Sequence, residues 1–249
     1  MKSESVVFCE GYLDRAFWTG WLEHLGCTNL YNPKRPVLDP WSGKVARGEF
    51  GFLSKSGSFI RVRPCQGKSQ VLPLVRRRLE DRDTKAVTSV VVNWDADTFD
   101  NDDAVGVAPS TTLSEVVGSI SPELTRNADD TYQLDGANPT TNHLVLWFTD
   151  DGPAPGIPAK QTLERLCCAA LREVHPDRAE EVQRWLAQCG DIDTADPKSF
   201  SWSHMAGWYP DRGCEGFYEA LWQDEAVAAA LRTRLESTGS WQIARSLAE

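Results

Sequence analysis

The apolar run VVFC at residues 6–9 stops at an acid and a glycine, Glu10-Gly11, and the chain then switches at once to helical spacing. Leu13, Phe17, Trp21, Leu22 and Leu25 recur on one face of a helix over residues 12–25. A buried strand feeding directly into a helix is half of a strand–helix–strand unit, and the pattern repeats. SFIRVRP (58–64) alternates and predicts a strand. SQVLPLVRRRLED (69–81) predicts a helix with Pro73 in its first turn or at a kink. AVTSVVVNW (86–94) is rich in β-branched residues and predicts another strand. Residues 111–120 predict a helix, NHLVLWF (142–148) a buried strand and KQTLERLCCAALREV (160–174) an amphipathic helix. Helices near 178–188, 213–222 and 224–236 follow, whereas 28–57, rich in Pro, Gly and Lys, predicts loop or irregular chain. This order implies an α/β fold with a central parallel sheet flanked by helices. A length of 249 residues, 41% of them hydrophobic, suits one large domain or a domain with an appendage.

Three strands in this reading end on carboxylates, and in such sheets ligands gather beyond the carboxyl ends of the strands. Glu10 follows the first strand, Asp95 and Asp97 follow VVVNW, and Asp150 and Asp151 follow LVLWF. If strand conformation continues past Trp94, the period of two sends the side chains of Asp95 and Asp97 to one side. Carboxylates about 4 Å apart repel by about 4 kcal/mol at an effective dielectric of 20, so such a cluster needs a cation or shared protons. Oxygen ligands without His or Cys favour Mg2+ or Mn2+ over zinc. On this reading the strand delivers Glu10 to an ion, and Gly11 lets the backbone turn away. The bland alternatives are a helix-capping role for Glu10 and Asx turns at Asp95, Asp97 and Asp150-Asp151-Gly152.

Charge is distributed unevenly. The net charge is −10, yet residues 34–85 hold 13 Lys/Arg against 5 Asp/Glu, and residues 86–151 hold 12 acids and one base, Arg126. A basic segment beside an acidic one suits a phosphate-binding surface beside a cation site, or two segments that pair with each other. Lys68, Arg76 and Arg77 are the candidate nucleic-acid contacts; Arg78 completes the densest basic run, which also suits a solvated helix face. The acidic total argues against broad, tight nucleic-acid binding. Seven cysteines include no CxxC pair, as expected of buried free thiols in a reducing compartment. No apolar run reaches the roughly 20 residues that cross a bilayer. MKSES lacks a signal-peptide pattern, so a cytoplasmic location without membrane contact is expected.

CEGYLDRAF, followed later by a hydrophobic strand and DAD, resembles the TOPRIM domain of topoisomerases, bacterial primases, small ribonucleases and OLD-type nucleases. The resemblance lies in a strand-end Glu-Gly, here Glu10-Gly11, and a strand-end Asp-x-Asp, here Asp95 and Asp97. Asp14 is similar to the EGxxD/E form of OLD-like and stand-alone TOPRIM proteins. LVLWFTDDG followed by TLERL resembles a later strand and acidic helix of small TOPRIM proteins, which implies Glu164 as a further metal ligand; the same residue is spaced for a helical ion pair with Lys160. KSFSWSHMAGWYPDRGCEGFYEAL (198–221) resembles their C-terminal element. The resemblance implies a compact TOPRIM-like domain over 1–175 with an insertion near 28–57, and a helical C-terminal extension over 176–249. It implies Glu10, Asp95 and Asp97 as catalytic residues, with Asp14 and Glu164 beside them as ligands of Mg2+ or Mn2+.

Two function classes follow. One is a metal-dependent nuclease hydrolysing phosphodiester bonds in DNA or RNA. The other is a non-catalytic module that binds metal or nucleotide and acts through a partner such as an ATPase. The chain carries no GxxxxGK[ST] phosphate loop of its own, so ATP dependence would come from that partner.

Overall fold

A computed structural model describes residues 3–30, 50–97, 107–120, 124–126, 131–135, 139–152, 154–189 and 197–249. The expected insertion near 28–57 falls largely on residues outside that set. Among the described residues, eight strands form one mixed sheet with helices around it. The strands are β1 (Glu4–Cys9), β2 (Thr28–Asn29), β3 (Phe50–Leu53), β4 (Phe59–Pro64), β5 (Val87–Asp95), β6 (Leu124–Arg126), β7 (Tyr132–Leu134) and β8 (Thr140–Trp147). Their order is β2-β3-β4-β1-β5-β8-β7-β6. β1 pairs in parallel with β4 on one side and β5 on the other, whereas β2, β3, β6 and β7 add antiparallel edges. β8 runs the same way as β5: the Thr140 hydroxyl donates to the Val87 carbonyl at one end, and Ala96 N–H to the Trp147 carbonyl at the other. The parallel centre is thus as expected, but the edges differ. FGFL carries a glycine and only four residues, too little alternation to read as β3 from sequence; pairing with β4 makes it a strand.

The helices are α1 (Tyr12–His24), α2 (Lys68–Glu80), α3 (Arg82–Lys85), α4 (Val107–Gly118), α5 (Leu163–Val174), α6 (Pro176–Gln188), α7 (Pro197–Trp208), α8 (Cys214–Gln223), α9 (Glu225–Ser237) and α10 (Ser240–Ala248). Pro73 stands in the second turn of α2 rather than its first. It lacks the N–H that would bond to the Ser69 carbonyl.

The chain divides into two compact units, one of Met1–Trp94, Gly106–Val145 and Gln242–Glu249, the other of Asp95–Val105 and Leu146–Trp241. The division does not fall at residue 175: α5 belongs with α6–α9. In the first unit every residue of β1 is buried, as are Val90, Val91 and Val92 of β5 and Ile60 and Val62 of β4. Strands covered on both faces read as continuous apolar runs, and these do. Phe17, Trp18 and Trp21 of α1 complete that core. The last residues close the unit, with Lys55 and Ser56 N–H donating to the carbonyls of Ala248 and Glu249. In the second unit α5 is the central helix, buried from Leu163 to Leu171 and packed by α6, α7 and α9.

One charged cluster lies inside the first unit. Glu4 of β1 accepts from Arg61 of β4 at 2.5 Å and from Arg78 of α2 at 3.1 Å, and all three are buried. Removing one member of a buried pair leaves uncompensated charge and costs about 3–5 kcal/mol. Glu4→Gln is therefore expected to lower unfolding free energy by about that much in urea titration; a loss below about 1 kcal/mol would show that the arginines find other compensation.

Candidate metal and nucleic-acid site

In the first unit the site residues gather around the end of β1. Glu10 is the first residue past the strand and is half-buried. Its carbonyl accepts from Gly67 N–H at 2.8 Å, and the Cys9 carbonyl from Cys65 N–H at 2.8 Å, so the turn after β4 is laced to the end of β1. That turn uses two left-handed residues, Gln66 (φ 63°) and Gly67 (φ 119°). At Gly67 the requirement for glycine is conformational, because an added Cβ would meet nothing within 4 Å. The turn opens α2, with Lys68 as its first residue, so the N-terminus of α2 lies beside Glu10. The Lys68 ammonium sits 5.1 Å from the centre of the Trp94 ring, a cation–π contact.

Gly11 is extended, at φ −143°, and an added Cβ would meet only Asp14 Oδ2 at 3.8 Å. The chain does bend at Glu10 and Gly11 as expected, but the bend does not require glycine, because any residue can adopt this backbone. Asp14 is buried rather than solvated. Its Oδ2 accepts from Gly11 N–H at 3.0 Å, closing the first turn of α1, and its Oδ1 accepts from the Asn93 amide at 3.1 Å. Asn93 in turn accepts from Trp18 Nε1 at 2.6 Å. This buried chain ties α1 to β5. Nothing in the period of either element signals Asn93, which reads as one polar residue within an apolar strand.

The basic run on α2 divides. Arg76 and Arg77 are exposed, Arg76 donating to Ser119 at 2.7 Å, while Arg78 turns inward to Glu4. The thiols of Cys9 and Cys65 both lie against the Arg63 carbonyl. Burial, with the nearby charges of Asp14 and Glu10 adding to it, pushes the Cys9 thiol well up. Burial likewise pushes Cys65 up to about 12, against the opposing charge of Arg63. Both thiols are protonated at neutral pH.

In the second unit β5 ends at Asp95, and the alternation expected through Asp97 stops there. Asp97 is left-handed (φ 58°), its N–H donates to the Gln161 carbonyl at 2.8 Å, and its Oδ1 pairs with Lys160 at 2.7 Å. Lys160 precedes α5 and meets Asp97, not Glu164 as helical spacing suggests. Asp95 Oδ1 accepts from Leu163 N–H at 3.0 Å, capping the start of α5 from outside the helix. The buried Gln161 side chain brackets Thr149, accepting its N–H and donating to its carbonyl, and so holds this loop to the end of β8. Glu164 is buried and accepts from Tyr218 Oη at 3.1 Å.

Asp151 is engaged by cations and a hydroxyl. It takes two bonds from Arg234, at 2.7 and 2.9 Å, and one from Thr149 Oγ1, while Arg165 donates to its carbonyl. Among the described residues, no three His, Cys, Asp or Glu side chains form a group that could hold a metal ion by themselves.

No protein-family model matches the sequence, and no curated protein does. The fold is similar to that of the hypothetical protein PH0156 from Pyrococcus horikoshii OT3, with a TM-score of 0.68 and 15% identity over 100% of both chains. At that identity the likeness concerns the fold alone.

Burial raises the Asp151 carboxyl, but the bonds from Arg234 and Thr149 and the charges of Arg234 and Arg165 outweigh it and hold it below the usual range. A depressed native value stabilises above the unfolded value of about 3.9 and is lost as pH falls through the native one. Asp151→Asn should therefore lower the Tm at pH 7, and the gap from wild type should close as pH falls below the unfolded value and through the depressed native one. A gap that persists undiminished in acid would mean that the ion pair is not its source.

Proposed function

We propose that this chain carries a TOPRIM-type acidic site and hydrolyses phosphodiester bonds in nucleic acid with Mg2+ or Mn2+. The observation that carries this reading is the order of the central strands. β1 and β5 are parallel neighbours with Phe8 opposite Val92; Glu10-Gly11 follows the carboxyl end of β1, and Asp95 is the last residue of β5. That is the strand context in which the two TOPRIM motifs stand.

The donors suit a hard ion, being carboxylates. Magnesium is commonly held by one or two carboxylates plus substrate phosphates, which requires no preassembled group of three. Once bound, such an ion supplies positive charge to a phosphoryl group undergoing in-line displacement. The chain's own residues do the rest. Lys68 and the first N–H groups of α2, beside Glu10, suit a phosphate oxygen. Asp14 holds the turn that follows Glu10, and Lys160 holds the Asp97 carboxylate. Arg76 and Arg77 extend the basic surface along α2.

A second reading is a non-catalytic module acting through a partner such as an ATPase. It is favoured by the structural hydrogen bonds that already engage Asp14, Asp95 and Asp97. The two separate in a cleavage assay on labelled DNA and RNA with Mg2+ or Mn2+. Asp95→Asn is the better control than Asp95→Ala, since it keeps an acceptor for Leu163 N–H, whereas alanine forfeits a cap worth about 1 kcal/mol. Glu10→Gln and Asp95→Asn should each lower turnover by about 100-fold or more at unchanged Tm, because several kcal/mol of transition-state stabilisation are removed. Lys68→Ala should weaken binding across sequences and reduce the log–log salt slope by about 0.7–0.9. Absence of turnover in the wild type with either ion on either nucleic acid would leave the partner-module reading.

A further inference from the structure

Tyr12 is the one large side chain of α1 that faces solvent beside the candidate site. It is 48% exposed, whereas Phe17, Trp18 and Trp21 of the same helix are fully buried. It stands two residues after Glu10, at the first position of α1, and it does not hang loosely there. The guanidinium of Arg15 lies 4.8 Å from the centre of its ring, and the Phe50 ring backs the same guanidinium at 4.0 Å. Arg15 is itself buried. The Arg15 guanidinium thus contacts both rings and supports the tyrosine ring while leaving that side chain half-exposed. A ring held in place loses little side-chain freedom when a second flat group stacks on it. The N-terminus of α2 with Lys68 also lies beside Glu10, a position suited to phosphate. Glu10 is thus two residues from a supported aromatic ring and beside a phosphate-suited helix end.

We propose that Tyr12 is a stacking platform for an unpaired nucleobase next to the scissile phosphate, which makes single-stranded nucleic acid the substrate class. A base in a duplex already stacks on both faces and has no face to offer, whereas every base of a single strand has one. Stacking is indifferent to base identity, and it adds affinity that a chain of net charge −10 does not obtain from its overall electrostatics. This inference rests on the phosphodiester reading for the scissile phosphate, but the platform is testable by binding alone.

The experiment is fluorescence anisotropy of the full chain with a labelled DNA 12-mer, its RNA counterpart, the DNA duplex and an abasic DNA strand, at low salt in EDTA. Tyr12→Ala should weaken single-strand binding by about 5- to 100-fold, the range for loss of one stacked base. Tyr12→Phe should retain it. The duplex affinity should not change, and the abasic strand should bind wild type and Tyr12→Ala alike. The DNA and RNA arms decide which strand fits better. Equal single-strand affinity of Tyr12→Ala and wild type, an equal loss on the duplex, or no binding of any strand by the wild type would each overturn the platform. Cleavage in Mn2+ is scored in parallel. Binding that follows the stacking pattern without cleavage would remove the hydrolytic reading alone, and cleavage unaffected by Tyr12→Ala would remove the platform alone.

Discussion

The first unit is built on the pairing of β1 with two parallel neighbours. With β4 on one side and β5 on the other, the whole strand is withdrawn from water. The two ends of β1 then take opposite chemical roles. At its start, Glu4 is sealed among Arg61 and Arg78, where a charge is tolerable only because its partners are also buried. Past its end, Glu10 emerges half-buried, next to a helix N-terminus. One strand therefore carries a structural carboxylate and a candidate functional one, and burial distinguishes them.

The acids around the proposed chemistry are held by groups other than themselves. Asp14 is fixed by Gly11 and Asn93, Asp95 by the first turn of α5, Asp97 by Lys160. Each answers the same electrostatic problem within its own unit, since a carboxylate drawn out of water needs positive charge or hydrogen-bond donors. Here amide N–H groups, one side-chain amide and one ammonium supply them. An acid held this way keeps a defined orientation, which a functional site also requires. Structural and functional roles for these residues are compatible.

The left-handed backbone at Asp97 deserves the same reading. Asp is among the few residues that adopt this region without prohibitive cost. Its N–H and carboxylate both bind the segment just before α5. The motif thus fastens the end of β5 to the start of α5, and Gln161 fastens the same segment to the residues after β8.

Much of the fold could be read from local pattern. The apolar runs of β1, β4, β5 and β8 and the helical periods of α1, α2, α5, α6, α8 and α9 are properties of short windows, so the sequence by itself determined an α/β chain with a parallel centre. It also placed Glu10 and Asp95 at strand ends, because a strand's end is marked by the residues that break its pattern. What it left undecided was partnership. Whether Arg78 faces water or Glu4, whether Lys160 meets Glu164 or Asp97, and whether Asp14 is solvated or bound to Asn93 depend on residues tens of positions away. The edge strand β3 is the same case for the backbone, being defined by its neighbour rather than by its own four residues. Periodicity reports which face of an element is apolar; the identity of what meets that face is fixed only when the chain closes on itself.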